Sequence, residues 1–345
     1  MVIKFFKALF NLAILSIFVS CSSPQDDNPL SAFKGQPIKL TPIFIDTDKP
    51  ILFGGEIKMV TDSILAVQTP KEDTLLTLIH IPEETILKRI IPKGKGPGEM
   101  TMTMFCNQTN KDQLFIYDPN QPKVFCLDMK TIMTDKIEPI VKLRNLNMLK
   151  IDSFYIVSGP SVMDNRFQIF DIHGDLISSC MHYDKPEEHQ SLPDHLYSVA
   201  FQGVYAVHPN NEKFVFAASG DGGRIQYFDF ISESISLNAD LFFYHPSFTF
   251  DNRGLCISNE NSIWGFSGIE GGKHFVYTLY SGKLIKDHVE DPTCRHLLVF
   301  DWNGNPVKRY ELDIPLATFC LNKTGDKIYG IAYQPETVIV QYDLK

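Results

Sequence analysis

No CxxC pair occurs anywhere in the chain, so a cysteine-based structural zinc site has no support. No Gly-x-Ser-x-Gly elbow marks a serine nucleophile, and no HExxH sets two histidines on one helical face for a metal. The 32 lysines and arginines are scattered rather than striped, and 41 acidic residues outnumber them to leave a net charge of -9. That balance lacks the electrostatic footprint of nucleic-acid binding. Long amphipathic helical periods are hard to find after residue 35. What remains, at 345 residues and 44% apolar content, is an ordinary globular composition, long enough for one large all-β domain or two smaller ones.

The N-terminus is the most specific feature. Lys4 and Lys7 precede a short apolar core, "ALFNLAILSIFV", which is too short to span a bilayer and reads as a secretory signal over residues 1–20. Cys21 follows directly in "VSC", which resembles the bacterial lipobox except that Phe18 stands where leucine is usual. Acylated Cys21 and the polar stretch after it read as an anchor and flexible tether over residues 21–36. The expected address is extracytoplasmic, lipid-anchored to the bacterial envelope at the outer membrane, with the anchor as the sole membrane contact. An ordinary secretory peptide cut nearby is the alternative. The other six cysteines are widely spaced, most of them in apolar runs such as "VFCLD" and "TFCLN", and read as buried thiols rather than disulfides.

From residue 37 onward, short β-branched and aromatic runs alternate with Gly, Asn, Asp and Pro. One element recurs: a strand ending in an aromatic residue followed or closely followed by aspartate, at Asp118, Asp171, Asp229, Asp301 and Asp343, with a degenerate copy near His80. Each aspartate is expected to leave its strand and bond nearby backbone amides in a turn. The last copy lacks a following partner strand, while "PIKLTPIFID", residues 37–46, lacks a preceding one. Joining these loose ends predicts an all-β, six-bladed β-propeller over residues 37–345, its ring closed by the N-terminal strand completing the last blade. The long interval between Asp229 and Asp301 contains "YSGKLIKDHVEDPTC", which reads as an insertion within the fifth blade.

"KGKGPGE", "FVYTLYSGK" and "LLVFDWNGNPVKRYELD" resemble the TolB-like six-bladed propeller lipoproteins of Bacteroidetes. That resemblance spans the mature chain and implies the fold, the envelope address and protein contacts there. It brings no catalytic residues with it.

"KGKGPGEM" looks like a phosphate loop at first sight. Lys95 is followed by Gly96 and Pro97 rather than Ser or Thr, and no helix pattern follows, so a tight crossover is the better reading. Its glycines are expected to supply positive φ, and Lys95 and Glu99 stay as candidates for an anion pocket. Propeller lactonases hold calcium in the central channel with Glu, Asn and Asp from inner strands, and Glu56, Asn107 and Asn261 are the candidates here for such channel-lining roles. His182, His189 and His195 lie in a proline-marked stretch with Asp and Glu, read as a solvated loop rather than a transition-metal site. The expected function is a monomeric, non-catalytic binding module for an envelope protein or a small ligand. A calcium-dependent hydrolase or lyase and a glycan-binding surface lipoprotein are the alternatives.

Overall fold

The computed structural model describes residues 28–344 except 109–112, 135–136, 144–146, 161, 163, 201, 219–221 and 252–255. The signal and Cys21 lie outside the described residues.

Strands of alternating or continuous apolar character build six sheets around an axis. Blade 1 runs over residues 57–92, blade 2 over 104–141, blade 3 over 147–180, blade 4 over 203–244, blade 5 over 266–316 and blade 6 over 318–343. The innermost strands are Ile57–Met59, Met104–Phe105, Asn147–Ile151, Gly203–Val207, Phe266–Gly271 and Thr318–Leu321. The inner segment of blade 2 is split, and its continuation, Asn107–Gln108, pairs in parallel with Leu149 and Lys150 of blade 3. A small hairpin, Phe248–Phe250 with Cys256–Ser258, stands apart between blades 4 and 5 and has no counterpart in the sequence reading.

The expected ring closure requires correction. Residues 37–46 do not form one strand: Ile38–Leu40 adds in parallel to the outer strand of blade 5, and Ile43–Ile45 lies at the outer edge of blade 6 against Ile339–Gln341. All the sheets are open, and no hydrogen-bonded ladder among the described residues closes them into a ring. Side-chain packing carries the circle instead. Six buried clusters each join two consecutive blades, from Leu76, Phe105 and Phe125 between blades 1 and 2 around to Tyr329 and Ile331 against Ile57 and Val67 between blades 6 and 1. Both faces of each sheet are thereby removed from water, which is why the strands read as continuous rather than alternating apolar runs.

Pro29–Ala32, within the stretch read as tether, forms a short turn of helix docked on blade 5. Phe33 is buried edge-on against Phe300 at 5.1 Å, and Arg309 donates to the Leu30 carbonyl.

Candidate functional site

The beginnings of the innermost strands converge on a well of about 290 Å³. Every blade contributes: Lys58 from blade 1, Phe105 from blade 2, Asn147 from blade 3, Tyr205 from blade 4, Glu270 from blade 5 and Thr318 from blade 6. Strand alternation explains the pairing of roles in "EIKM". Glu56 and Lys58 face the axis, whereas the intervening Ile57 and the following Met59 belong to the packing between blades 6 and 1.

Lys58 forms an ion pair with Glu270 across the axis and lies 3.5 Å from Asn107 Oδ1. A second, much smaller cavity of about 40 Å³ lies beyond this pair and shares it as a wall, with Met59, Cys106, Leu114 and Leu321 around it. Lys58 and Glu270 therefore form the floor of the well. Burial opposes the charge on Lys58, but Glu270, with a smaller contribution from Glu56, outweighs it and holds the ammonium above its ordinary range. Glu56 shows the opposite balance: burial pushes its carboxyl up against the lowering effect of Lys58 and of the Phe105 N–H. Its other contacts are with Gln68, whose Nε2 is 3.5 Å from Oε2 and also donates to the Thr103 carbonyl.

The insertion of blade 5 emerges at the same rim, since Tyr280 pairs with Phe266 at the start of the innermost strand. It contains the helix Ile285–Glu290 and brings Pro292 to the well. Trp264 stacks on His288 at 4.5 Å and donates to Ser267, itself a lining residue.

Asn107 and Glu56 thus line the well, but Asn261 does not. It is exposed on a loop beside the insertion, where its side chain accepts from Lys286. Lys95 and Glu99 lie in the crossover from blade 1 to blade 2, also outside the lining. The crossover glycines correct the sequence reading: Gly94, Gly96 and Gly98 are not among the positive-φ residues. They are needed for close approach. Glu99 folds back into the loop, accepting from the Gly96 N–H at 2.7 Å, and a Cβ on Gly94 would lie 2.0 Å from its Oε2. The anion in this glycine cradle is the chain's own carboxylate. Lys123 donates to the Gly96 and Glu99 carbonyls from below, while Lys95 is exposed.

The histidine stretch is more ordered than a solvated loop. Asp194, buried at the start of the helix Asp194–Ala200, accepts from Lys185 at 2.6 Å and faces His182 at 2.8 Å, while His189 stacks on Phe248. Among the described residues no three His, Cys, Asp or Glu side chains converge in a way that could hold a metal.

Lys58 and Glu270 escaped the sequence reading. Period-two alternation from Glu56 would have found Lys58; Glu270, 212 positions away, becomes its neighbour through the ring alone.

Residues 56–324 match the model of a family described as TolB-like 6-blade propeller-like. Among curated proteins, none matches this chain in sequence. Among solved structures, the calcium-binding protein regucalcin from Agrobacterium tumefaciens is 9% identical, with a TM-score of 0.52 over 90% of this chain and 97% of that one. The Kuenenia stuttgartiensis hydrazine synthase gives 12% and 0.48 over 89% and 98%. The Cps50 (Swd1) propeller domain of Myceliophteria thermophila gives 7% and 0.48 over 88% and 100%. At these identities the regucalcin likeness concerns the fold alone.

Proposed function

The chain belongs to the TolB-like six-bladed propeller family, and from that premise we propose that it is a lipid-anchored, extracytoplasmic binding module that receives a small polar ligand, or a side chain of an envelope protein, in the axial well. The observation carrying this reading is a blind well lined from all six innermost strands and floored by an ion pair. Preformed concave sites with a few converging polar groups on an otherwise apolar wall are what small-ligand recognition requires. The floor charges are engaged with each other, which favours holding a ligand over attacking one. The protein acts as a monomer, anchored through Cys21.

Calcium fits this donor set poorly. A hard cation on the axis would draw on Glu56, Glu270 and Asn107, and the Lys58 ammonium already lies against Glu270 and Asn107. This supports a metal-independent well. The glycan reading has less behind it, because of the aromatic lining residues Phe105, Tyr117, Tyr205, Phe319 and Tyr333 only Tyr333 is exposed.

A thermal-shift screen of polar small molecules tests the well. Compounds that stabilise the native protein should lose their effect in Thr318→Trp, which fills the lining; retention of every effect would overturn the assignment. Palmitate labelling of the native chain, absent in Cys21→Ala, tests the anchor.

A further inference from the structure

The charges around the well are unevenly matched. Two carboxylates, Glu56 and Glu270, face one ammonium, Lys58. Glu270 is paired with Lys58, while Glu56 makes no ion pair with any described residue and has only the long Gln68 contact and the Phe105 N–H. Around it the wall carries Phe105, Tyr117, Tyr205, Phe319 and Tyr333. An uncompensated carboxylate suits a cation through direct ion pairing, and Tyr333, the exposed ring of the wall, adds a ring face to it. The net charge of -9 on the whole chain biases approach in the same direction.

We propose that the well recognises a cationic group, a primary ammonium or a guanidinium, which ion-pairs with Glu56 above the Lys58–Glu270 floor. This rests on the binding reading above and specifies its ligand. An added anion would meet Glu56 and Glu270 with Lys58 already neutralised, whereas an added cation brings these three charged groups to balance. The source is either a free amine or a lysine or arginine of a partner protein, since both present the same group.

Glu56 also provides a signature. Burial raises its carboxyl pKa, with Lys58, Glu270 and the Tyr117 hydroxyl as the titratable groups around it. A bound cation stabilises the carboxylate, so binding strengthens as pH rises through the free carboxyl's pKa and releases protons over that interval. An anionic ligand would take up protons, and a neutral one would exchange none.

The test is calorimetric titration of the full mature chain with butylammonium, butylguanidinium, butyrate and butanol, in two buffers of different ionisation enthalpy. The cations should bind with proton release. Glu56→Gln should weaken them about tenfold or more and abolish the release, while Glu336→Gln, at an exposed site, should change neither. N-acetyl-lysine amide separates the sources: binding as tight as butylammonium indicates that a protein side chain is accepted, and exclusion restricts the site to free amines. Butanol or butyrate binding better than the cations, or cation binding unchanged in Glu56→Gln, overturns the proposal. If such a neutral or anionic ligand is lost in Thr318→Trp, the well still stands; if no ligand responds to Thr318→Trp, the binding reading falls with it.

Discussion

Asp118 is fully buried and accepts hydrogen bonds from the Thr101 N–H at 2.7 Å, the Thr101 hydroxyl, the Asn120 N–H and Gln121 Nε2. Asp301 instead accepts from the Asn303 and Asn305 N–H groups and the Asn305 side chain in an open turn; burial raises its carboxyl, but these bonds together outweigh it and hold it below the ordinary range. Asp118→Ala should therefore cost about 2–4 kcal/mol, because it strands buried donors, and Asp301→Ala about 1 kcal/mol, the worth of a turn bond. Urea unfolding of both variants measures the difference, and equal losses would refute this account of the two environments. The recurring aromatic-aspartate pattern made both residues visible but could not separate them. Asp118 ends the second strand of its sheet, whereas Asp301 ends the third, so they lie on opposite rims. The sequence conceals this because the inner strand of blade 2 is broken into two pieces of two residues each, Met104–Phe105 and Asn107–Gln108. A second residue-scale prediction concerns Lys58. Lys58→Met leaves Glu270, Glu56 and Asn107 without their internal cation, so millimolar calcium should raise the melting temperature of this variant and leave the native protein unchanged. A native protein that responds equally to calcium would contradict the role given to the ammonium.

At the scale of elements, the insertion of blade 5 is held to the rim by His288, buried between Trp264 and Ser281, whose hydroxyl lies 2.9 Å from Nδ1. Burial, reinforced by Lys283 and opposed by Asp291, pulls this imidazole from 6.5 to about 4. The neutral form is the folded form. Acidification protonates the released histidine first, so the stabilisation is complete above about 6.5 and is lost as pH falls from there towards about 4. Its size is at most about 3 kcal/mol. Fluorescence of Trp264 in a Trp302→Phe background should report loosening across that interval, and His288→Phe, which keeps a ring beneath the indole, should flatten the profile. An unchanged profile in His288→Phe would assign the transition elsewhere. The insertion itself was legible, as a polar run interrupting a strand pattern. Its destination was less so: that Pro292 reaches the well follows from the pairing of Tyr280 with Phe266, which no local signal encodes. The glycine crossover has the same limit. Its position between blades was readable, but the reason for its glycines is the returning Glu99 side chain, a contact that depends on the folded loop.

For the whole molecule, the question is what keeps six separate sheets in a circle. The edge strand Ile43–Ile45 contributes a ladder of three residues, and Phe44 within it is half exposed. The contact between blades 6 and 1 also includes Ile57, Val67, Ile79, Tyr329, Ile331 and Ile339, all buried. Removing a fully buried isoleucine side chain costs about 2–5 kcal/mol through lost burial and the cavity left behind, whereas disturbing a short, half-exposed edge strand costs about 1 kcal/mol. Ile331→Ala should accordingly destabilise the protein several times more than Phe44→Pro, which disturbs the edge strand without touching the cluster core. Chemical denaturation of the two variants decides between the mechanisms. If Phe44→Pro proves the more damaging, this account of the packing is refuted; if Ile331→Ala does, the six inter-blade cores hold the disc together and fix the positions from which Glu56, Lys58 and Glu270 face the axis.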